Sequence, residues 1–361
     1  MPPVDPIQHP DAPDLDELCH KLAALADETD RTGTWPAEQL RLCGQYGVYR
    51  WFMPATWGGF DWDESFVTQG YLRLAAACLT TTFIITQRTG ACRRILTADS
   101  NRPLQERLLP QLAEGTTFAT VGISHLTTSR RHLARPVLAA REVEGGFVLD
   151  GFSPWVTGGI HAQTVVIGAT LPDERQILVA LPMDLPGVSA DPPAELVGVR
   201  SSHTGAVRCQ NVMVSHDLLI AGPIHDVMKQ GEGGSTGGLQ TSTLAVGLAS
   251  AAIEYLLREA QARRDLQPAA QQLRAEQQQM QTDLMALATG KQVCTVEDIR
   301  ARANSLALRS AQASLAAAKG TGYVAGHPAG RWCREALFFL VWSCPQPVMA
   351  ANLCELAGLG D

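Results

Sequence analysis

The residue period changes twice along this chain, and that constrains the fold more than any single motif. Over residues 15–112 apolar side chains recur at intervals of three and four, as in Leu18, Leu22 and Leu25 and again across 72–78, the spacing of amphipathic helices. Over 118–214 this gives way to short apolar runs at 118–124, 137–142, 147–150, 164–169, 177–181 and 207–214. Gly145-Gly146 separates one pair of runs and Leu171-Pro-Asp-Glu another, as hairpin turns do. Strands at this spacing with no helix between them predict antiparallel pairing in a small barrel or sandwich. From Gln240 the helical period returns and persists to the end.

The expected class is therefore α+β, mostly α: an N-terminal helical domain, a central antiparallel β-barrel or sandwich, and a C-terminal four-helix bundle. The expected boundaries are a lead-in over 1–13, helices over 14–117, the β domain over 118–222, a glycine-rich connection over 223–239 and the bundle over 240–361. Within the bundle, 244–264 is rich in small residues that let helices approach closely. Thr295-x-x-Asp298 has the form of a capping box before a long helix that Gly320 and Gly322 end, and two more helices are expected over 330–342 and 347–356.

With 45% hydrophobic and 18% charged residues in 361, the chain can bury two or three cores. Its formal charge is -7, without the basic stripe that recognition of a phosphate backbone requires, so nucleic acid is not an expected partner. The first residues lack the pattern of a signal peptide, and the longest apolar stretches, 74–86 and 336–344, fall short of the roughly 20 residues that cross a bilayer. A cytoplasmic protein with no membrane span is expected. Nine cysteines, odd in number and without a C-x-x-C pair, read as free thiols, most of them small buried hydrophobes. A P-loop, a G-x-S-x-G elbow and an H-E-x-x-H pair are missing, and two near misses to G-x-G-x-x-G carry Thr236 and Ala325 at the third glycine. His125 and His132 are the nearest thing to a metal cluster, and no metal is expected.

Three stretches carry a resemblance. Gly146-Phe-Val-Leu-Asp-Gly-Phe-Ser-Pro-Trp-Val-Thr-Gly-Gly159 keeps every spacing of the pattern G-x-x-L-N-G-x-K-x-W-I-T-N-G. About thirty residues before its tryptophan lies Phe118-Ala-Thr-Val-Gly-Ile-Ser-His-Leu-Thr-Thr-Ser129, in the place of a Y-C-V-T-E-P-G-A-G-S-D loop but with different letters. The third is Lys319-Gly-Thr-Gly-Tyr-Val-Ala-Gly-His-Pro-Ala-Gly-Arg-Trp-Cys-Arg334-Glu-Ala, which follows G-G-x-G-Y-x-x-x-Y-P-x-x-R-x-x-R-D-A. On these residues the chain resembles the acyl-CoA dehydrogenase superfamily, flavoenzymes whose isoalloxazine lies between the β domain and the C-terminal bundle.

The resemblance implies FAD, with FMN as the alternative. It places Trp155 beside the ring, Thr157 at the N5 edge where a donor stabilises charge on the reduced flavin, and Ser124 at the pyrimidine edge. Val121, Ile123 and Val156 would border the same ring. Gly320 and Gly322 would let the diphosphate arm approach across a subunit interface. Arg263 would keep a charge for the distal half of the cofactor, where the R-x-x-F-G pattern is lost, and Arg130 and Arg131 are the nearest basic pair for CoA phosphates. The plainer alternatives are a hairpin with a buried tryptophan, a polar loop at a strand end, and bundle ion pairs for Arg331 and Arg334.

Counting on from Arg334, the family's Y-E-G-T falls on Trp342-Ser343-Cys344-Pro345, so Ser343 stands where a glutamate removes the α-proton of a thioester. The other base position known in the family falls on Gly238. A serine has no accessible pKa for that task without a partner, which leaves His125 or a helix carboxylate as candidate bases. Three functions follow: an acyl-CoA dehydrogenase-like flavin oxidoreductase with an unassigned base; a monooxygenase on the same fold fed by a separate flavin reductase, with Ser124, His125, Thr157 and Ser343 near the flavin; or a non-catalytic flavin- or acyl-binding homologue. The expected partners are a small-molecule substrate such as an acyl-CoA, an electron-transfer protein or reductase, and further copies of the chain. A homodimer or homotetramer is expected, from the small residues around Gly247, Ala251 and Ala252 and the turn at Gly320.

Overall fold

The computed structural model describes residues 5–127, 136–229 and 238–359. Its first third is helical: α1 (Pro13–Thr32), α2 (Ala37–Gln45), α3 (Glu64–Ala77), α4 (Leu79–Leu96) and α5 (Arg102–Glu114). Helix α1 starts on Pro13, stops at the left-handed Gly33 and buries Leu15, Leu18, Leu22 and Ala26 along one face, as the sequence period requires. Asp63 caps α3 by accepting from the Phe66 N–H. Helix α4 is buried nearly all round, including Thr80, Thr81, Thr82, Thr86, Arg88 and Thr89.

The chain then forms one sheet from β1 (Ala119–Gly122), a single helical turn α6 (Ser124–Thr127), β2 (Leu138–Val143), β3 (Gly146–Val156), β4 (Thr164–Thr170), β5 (Gln176–Pro182), β6 (Val188–Ala190), β7 (Gly205–Ser215) and β8 (Leu219–Ile224). The strand order is β6-β7-β3-β2-β4-β5-β8, with β1 alongside β4. Both expected hairpins form: Val143 faces Gly146, and Thr170 faces Gln176. The sheet is mixed rather than purely antiparallel. Because the β2–β3 hairpin intervenes, β4 runs parallel to β1, from Ala119 opposite Thr164 to Gly122 opposite Ile167. Strand β6 is three residues long and partly exposed and gives no apolar run, whereas β8, Leu-Ile-Ala-Gly-Pro-Ile, is apolar but carries Gly222-Pro223, a pair that reads as a turn.

The last third contains α7 (Leu239–Ala262), α8 (Gln267–Ala288), α9 (Val296–Ala318), α10 (Pro328–Leu337) and α11 (Gln346–Leu356). The capping box at α9 is present, with Thr295 and Asp298 each accepting the other's backbone N–H. Helix α10 ends at Leu337 and passes through a 3-10 turn, Phe338–Leu340, so the expected helix to Trp342 stops five residues early. Residues 230–237 of the glycine-rich connection lie outside the described residues, as do Thr128, Ser129, Arg130, Arg131 and His132. Among the described residues no helix is long and apolar enough to cross a membrane.

One apolar core joins the first and last thirds, running from Leu15, Leu18 and Tyr71 through Leu244, Ala249 and Ile253 to Leu306 and Phe339. The two parts meet closely at Gly247 of α7, where an added Cβ would lie 2.6 Å from the Ala75 Cβ and 2.7 Å from the Leu72 carbonyl oxygen of α3. Gly247 and the fully buried Ala252 therefore pack within one chain rather than offering a face to a second copy. Ion pairs close the same seam: Arg331 Nε donates to Asp27 Oδ1 at 2.8 Å, and Arg334 pairs with Asp30, tying α10 to α1. Arg331 and Arg334 are thus bundle ion-pair residues.

The contact at Gly247 has a measurable consequence. Gly247→Ala forces a methyl group against backbone, and overpacking of this kind costs about 1–3 kcal/mol. Its melting temperature should fall by several degrees, although alanine is the better helix former; an unchanged or raised value would mean that α3 and α7 do not approach this closely.

Candidate functional site

A cavity of about 710 Å³ opens where the three parts of the chain meet. One wall is a single face of α4, with Phe83, Thr86, Gln87, Gly90 and Arg94 at helical spacing. A second wall comes from strand ends of the sheet, with Val121 in β1, Ile123 and Ser124 just after it, and Trp155 and Thr157 at the end of β3. The bundle supplies the third, from Gly238 and Thr241 at the start of α7 and from Leu337, Phe338, Trp342 and Ser343 beyond α10.

Side-chain alternation explains the sheet wall. Trp155 and Thr157 face the cavity while Val156 between them is fully buried in the sheet core. Trp155 is 49% exposed, unusual for an indole, and so presents an open apolar face to the cavity. The Thr157 hydroxyl lies 3.1 Å from Thr204 Oγ1, which lies 2.9 Å from Ser202 Oγ, so three hydroxyls form a chain leading away from the site. Among the described residues the buried Ser124 Oγ has no hydrogen-bond partner. An orphaned buried hydroxyl costs about 1–3 kcal/mol, which a polar ligand atom would recover.

The bundle wall is built on aromatic packing. Phe338 and Trp342 stack at 5.0 Å, and Phe83 of α4 meets each of them edge-on at 4.8 Å. The turn that follows carries Ser343 at a positive φ of 45°, a conformation few side chains adopt without support. That support comes from α9: Arg300 Nη2 donates to the Trp342 carbonyl at 2.8 Å, and Asn304 Nδ2 donates to the Phe339 carbonyl at 3.1 Å. Both inferred base positions, Ser343 and Gly238, line the cavity.

Other expected site residues lie elsewhere. His125 is buried with its ring turned away from the cavity, and its Nε2 lies 2.8 Å from the Gly168 carbonyl, which can only accept. The ring is thus the Nε2–H tautomer, and burial holds its pKa below the usual value. Arg263, at the end of α7, donates to the Ala317 carbonyl at 2.6 Å. Gly320 and Gly322 sit in the turn after α9, also away from the cavity; a Cβ at Gly320 would meet open space, whereas one at Gly322 would lie 2.7 Å from the Ala318 Cβ. Arg130 and Arg131 lie outside the described residues. A smaller cavity of about 420 Å³ lies between α2 and the start of β1, lined by Trp35, Arg88 and His161 among others.

Among the charged residues lining the cavity, Glu64 on α3 and Arg93 and Arg94 on α4 escaped the sequence reading. Their signal was a row of polar residues, Thr86, Thr89, Arg93 and Arg94, along a helix that is otherwise buried nearly all round.

A family model for the acyl-CoA dehydrogenase N-terminal domain matches residues 16–116. A probable acyl-CoA dehydrogenase of Bacillus subtilis is 25% identical over 251 residues, 68% of this chain and 65% of that protein. Both findings support kinship with the acyl-CoA dehydrogenase superfamily. The oxygenase subunit of a flavin-dependent monooxygenase from Rhodococcus jostii is 24% identical over 208 residues, 57% of this chain and 50% of that one. In each case the match spans between half and two thirds of the relative's length. Glutaryl-coenzyme A dehydrogenase, solved in complex with glutaryl-CoA, superposes with a TM-score of 0.82 at 17% identity, covering 97% of this chain and 96% of that one. The whole chain thus has the superfamily's fold.

His125 predicts an acid sensitivity. A histidine held neutral in the fold takes up its proton more readily when unfolded, so its contribution is intact above about pH 6.5 and is lost as pH falls toward the lowered folded value. His125→Gln keeps a donor for the Gly168 carbonyl and cannot titrate. Between pH 7 and pH 5 the melting temperature of the variant should fall less than that of the natural protein; equal falls would contradict the buried neutral ring.

Proposed function

We propose that the larger cavity binds a flavin, FAD with FMN as the alternative, and that the chain is a flavin-dependent oxidoreductase of the acyl-CoA dehydrogenase type. The observation that carries this reading is the sheet wall, where the open indole of Trp155, the unpartnered Ser124 hydroxyl and Thr157 lie together opposite the turn of Ser343. These groups suit an aromatic ring with a polar rim. Trp155 would pack on the ring, Ser124 would recover its missing hydrogen bond, and Thr157 would hold a donor steady through Thr204. Phe83, Phe338 and Trp342 would exclude water from the substrate side, and Arg300 would fix the turn that faces it. The flavin, when bound, would supply either oxidation of a C–C bond next to a thioester or the activation of oxygen.

A second reading, a monooxygenase that receives reduced flavin from a partner, is favoured by the carboxylate count. Among the described lining residues the only carboxylate is Glu64, and it is held in an ion pair with Arg93 at 2.7 Å. No free carboxylate stands ready to take an α-proton, and oxygen chemistry needs none. The Rhodococcus relative is itself named as a flavin-dependent monooxygenase.

The test begins with the visible spectrum of the protein reconstituted with FAD or FMN. Bleaching by an acyl-CoA without oxygen supports the dehydrogenase, and bleaching only by an external reductase, followed by oxygen uptake, supports the monooxygenase. A protein that takes up no flavin would remove both. Ser343→Glu sharpens the choice. General-base assistance contributes about 10²- to 10⁴-fold, so the variant should gain α,β-dehydrogenation on that scale if residue 343 faces a bound thioester. Loaded protein and loaded variant both inert toward every acyl-CoA would retire the dehydrogenase reading in favour of the oxygen-using one.

A further inference from the structure

Helix α4 borders both cavities: Thr86, Gln87 and Gly90 line the larger one, whereas Arg88 lines the smaller. Arg88 is 1% exposed, and among the described residues it makes no ion pair. Its guanidinium lies 3.8 Å over the Tyr49 ring, and Nη2 donates to the Leu112 carbonyl near the end of α5. That bond spends one of five N–H donors, so a costly buried charge is only partly met. Glycines seat the Tyr49 ring beneath it: a Cβ would lie 3.0 Å from the ring at Gly44 and 2.9 Å from it at Gly115.

The same cavity also holds unspent acceptors. Glu114, the last residue of α5, lines it and makes no ion pair among the described residues. His161 lines it too, stacked at 4.1 Å on Trp35, which Phe118 meets edge-on. The Gly33 carbonyl can only accept, so His203 donates to it from Nε2 at 3.0 Å and receives the His161 Nε2–H at its Nδ1, 2.9 Å away. The proton of a neutral His161 is thereby fixed on Nε2, which leaves Nδ1 as a bare acceptor. Burial and the neighbouring His203 hold the His161 pKa below its usual value, so the ring is neutral at pH 7.

We propose that the smaller cavity binds a free α-amino acid with an apolar or aromatic side chain: its carboxylate on Arg88, its ammonium toward Glu114 and His161 Nδ1, its side chain against Trp35 and Phe118. Charge selects the class. Arg88 and Glu114 are opposite in sign and line one cavity without pairing with each other, so a zwitterion answers both. A simple acid would leave Glu114 unanswered, and a simple amine would leave Arg88. Cationic, acidic and aromatic groups around one space call for three substituents on one centre, as an α-carbon supplies. At about 420 Å³ the cavity is of the size that small-molecule sites have. The site does not depend on the flavin reading of the larger cavity.

Calorimetric titration of the full chain with L-phenylalanine tests this against three probes: hydrocinnamate, which lacks the ammonium, phenethylamine, which lacks the carboxylate, and glycine, which lacks the ring. L-phenylalanine should bind about tenfold or more tightly than each of the first two, as charge-assisted hydrogen bonds imply. Glycine should also bind about tenfold or more weakly, having no ring to bury. Prior loading with FAD should change none of these ratios. Glu114→Gln, at an exposed position where folding is not at stake, should bring L-phenylalanine down to the level of hydrocinnamate. Arg88→Met, with its fold checked by circular dichroism, should bind neither acid. Absence of binding at millimolar L-phenylalanine, affinity no better than that of the half-analogues, or equal affinity in the natural protein and Glu114→Gln would each overturn the proposal.

Discussion

No side chain fits between α3 and α7 at Gly247, and the rest of the architecture is arranged around that contact. Helices separated by some 170 residues of sequence meet there backbone to backbone, so the N-terminal helices and the bundle share one core instead of forming two. The sheet cannot enter that core. It packs against α4 and α5 through a separate cluster that includes Ala91, Ile95, Leu112, Val121 and Val166. The larger cavity is the space left where sheet, α4 and the end of α10 converge without filling.

Charge is placed at this junction with unusual freedom for a buried region. Burial pushes Glu335 up to about 7 while the Arg331 guanidinium, 3.2 Å away, pulls against it. Together with Asp27 they form a cluster that welds α10 to α1, and truncating one member would strand the others at a cost of about 3–5 kcal/mol. Arg300, pushed down to about 10 by burial, lends its donors to the turn bearing Ser343, where a left-handed backbone needs holding. Arg94, half-buried on α4, differs from these in making no ion pair among the described residues, with the Gly90 carbonyl as its hydrogen-bond partner.

The three-part architecture was legible because period is a local property: two hairpins, the capping box at Thr295 and the amphipathic stripe of α1 each follow from a few consecutive residues. The parallel pairing of β1 with β4 was not, since it depends on which strands intervene in space. The cavity was legible in part. Ser124, Trp155, Thr157 and Ser343 were reached through the family resemblance, and the fold brings all four to one cavity. His125 was chosen for its chemistry and adjacency to Ser124, but one residue along a helical turn points a side chain in a different direction, here toward Gly168. Arg94 was missed because an arginine in a helix ordinarily reads as a solvated face, and only three-dimensional packing turns that face inward.

The central claim is that the sheet edge and the turn of Ser343 enclose a flavin. A crystal structure of the FAD-loaded protein tests it most directly. The account predicts the isoalloxazine in van der Waals contact with the Trp155 indole, with a ring polar atom accepting from or donating to Ser124 Oγ, and the Ser343 turn on the opposite side. Flavin density in the smaller cavity beside Trp35 and His161, or a ring that leaves Ser124 unpartnered, would contradict it.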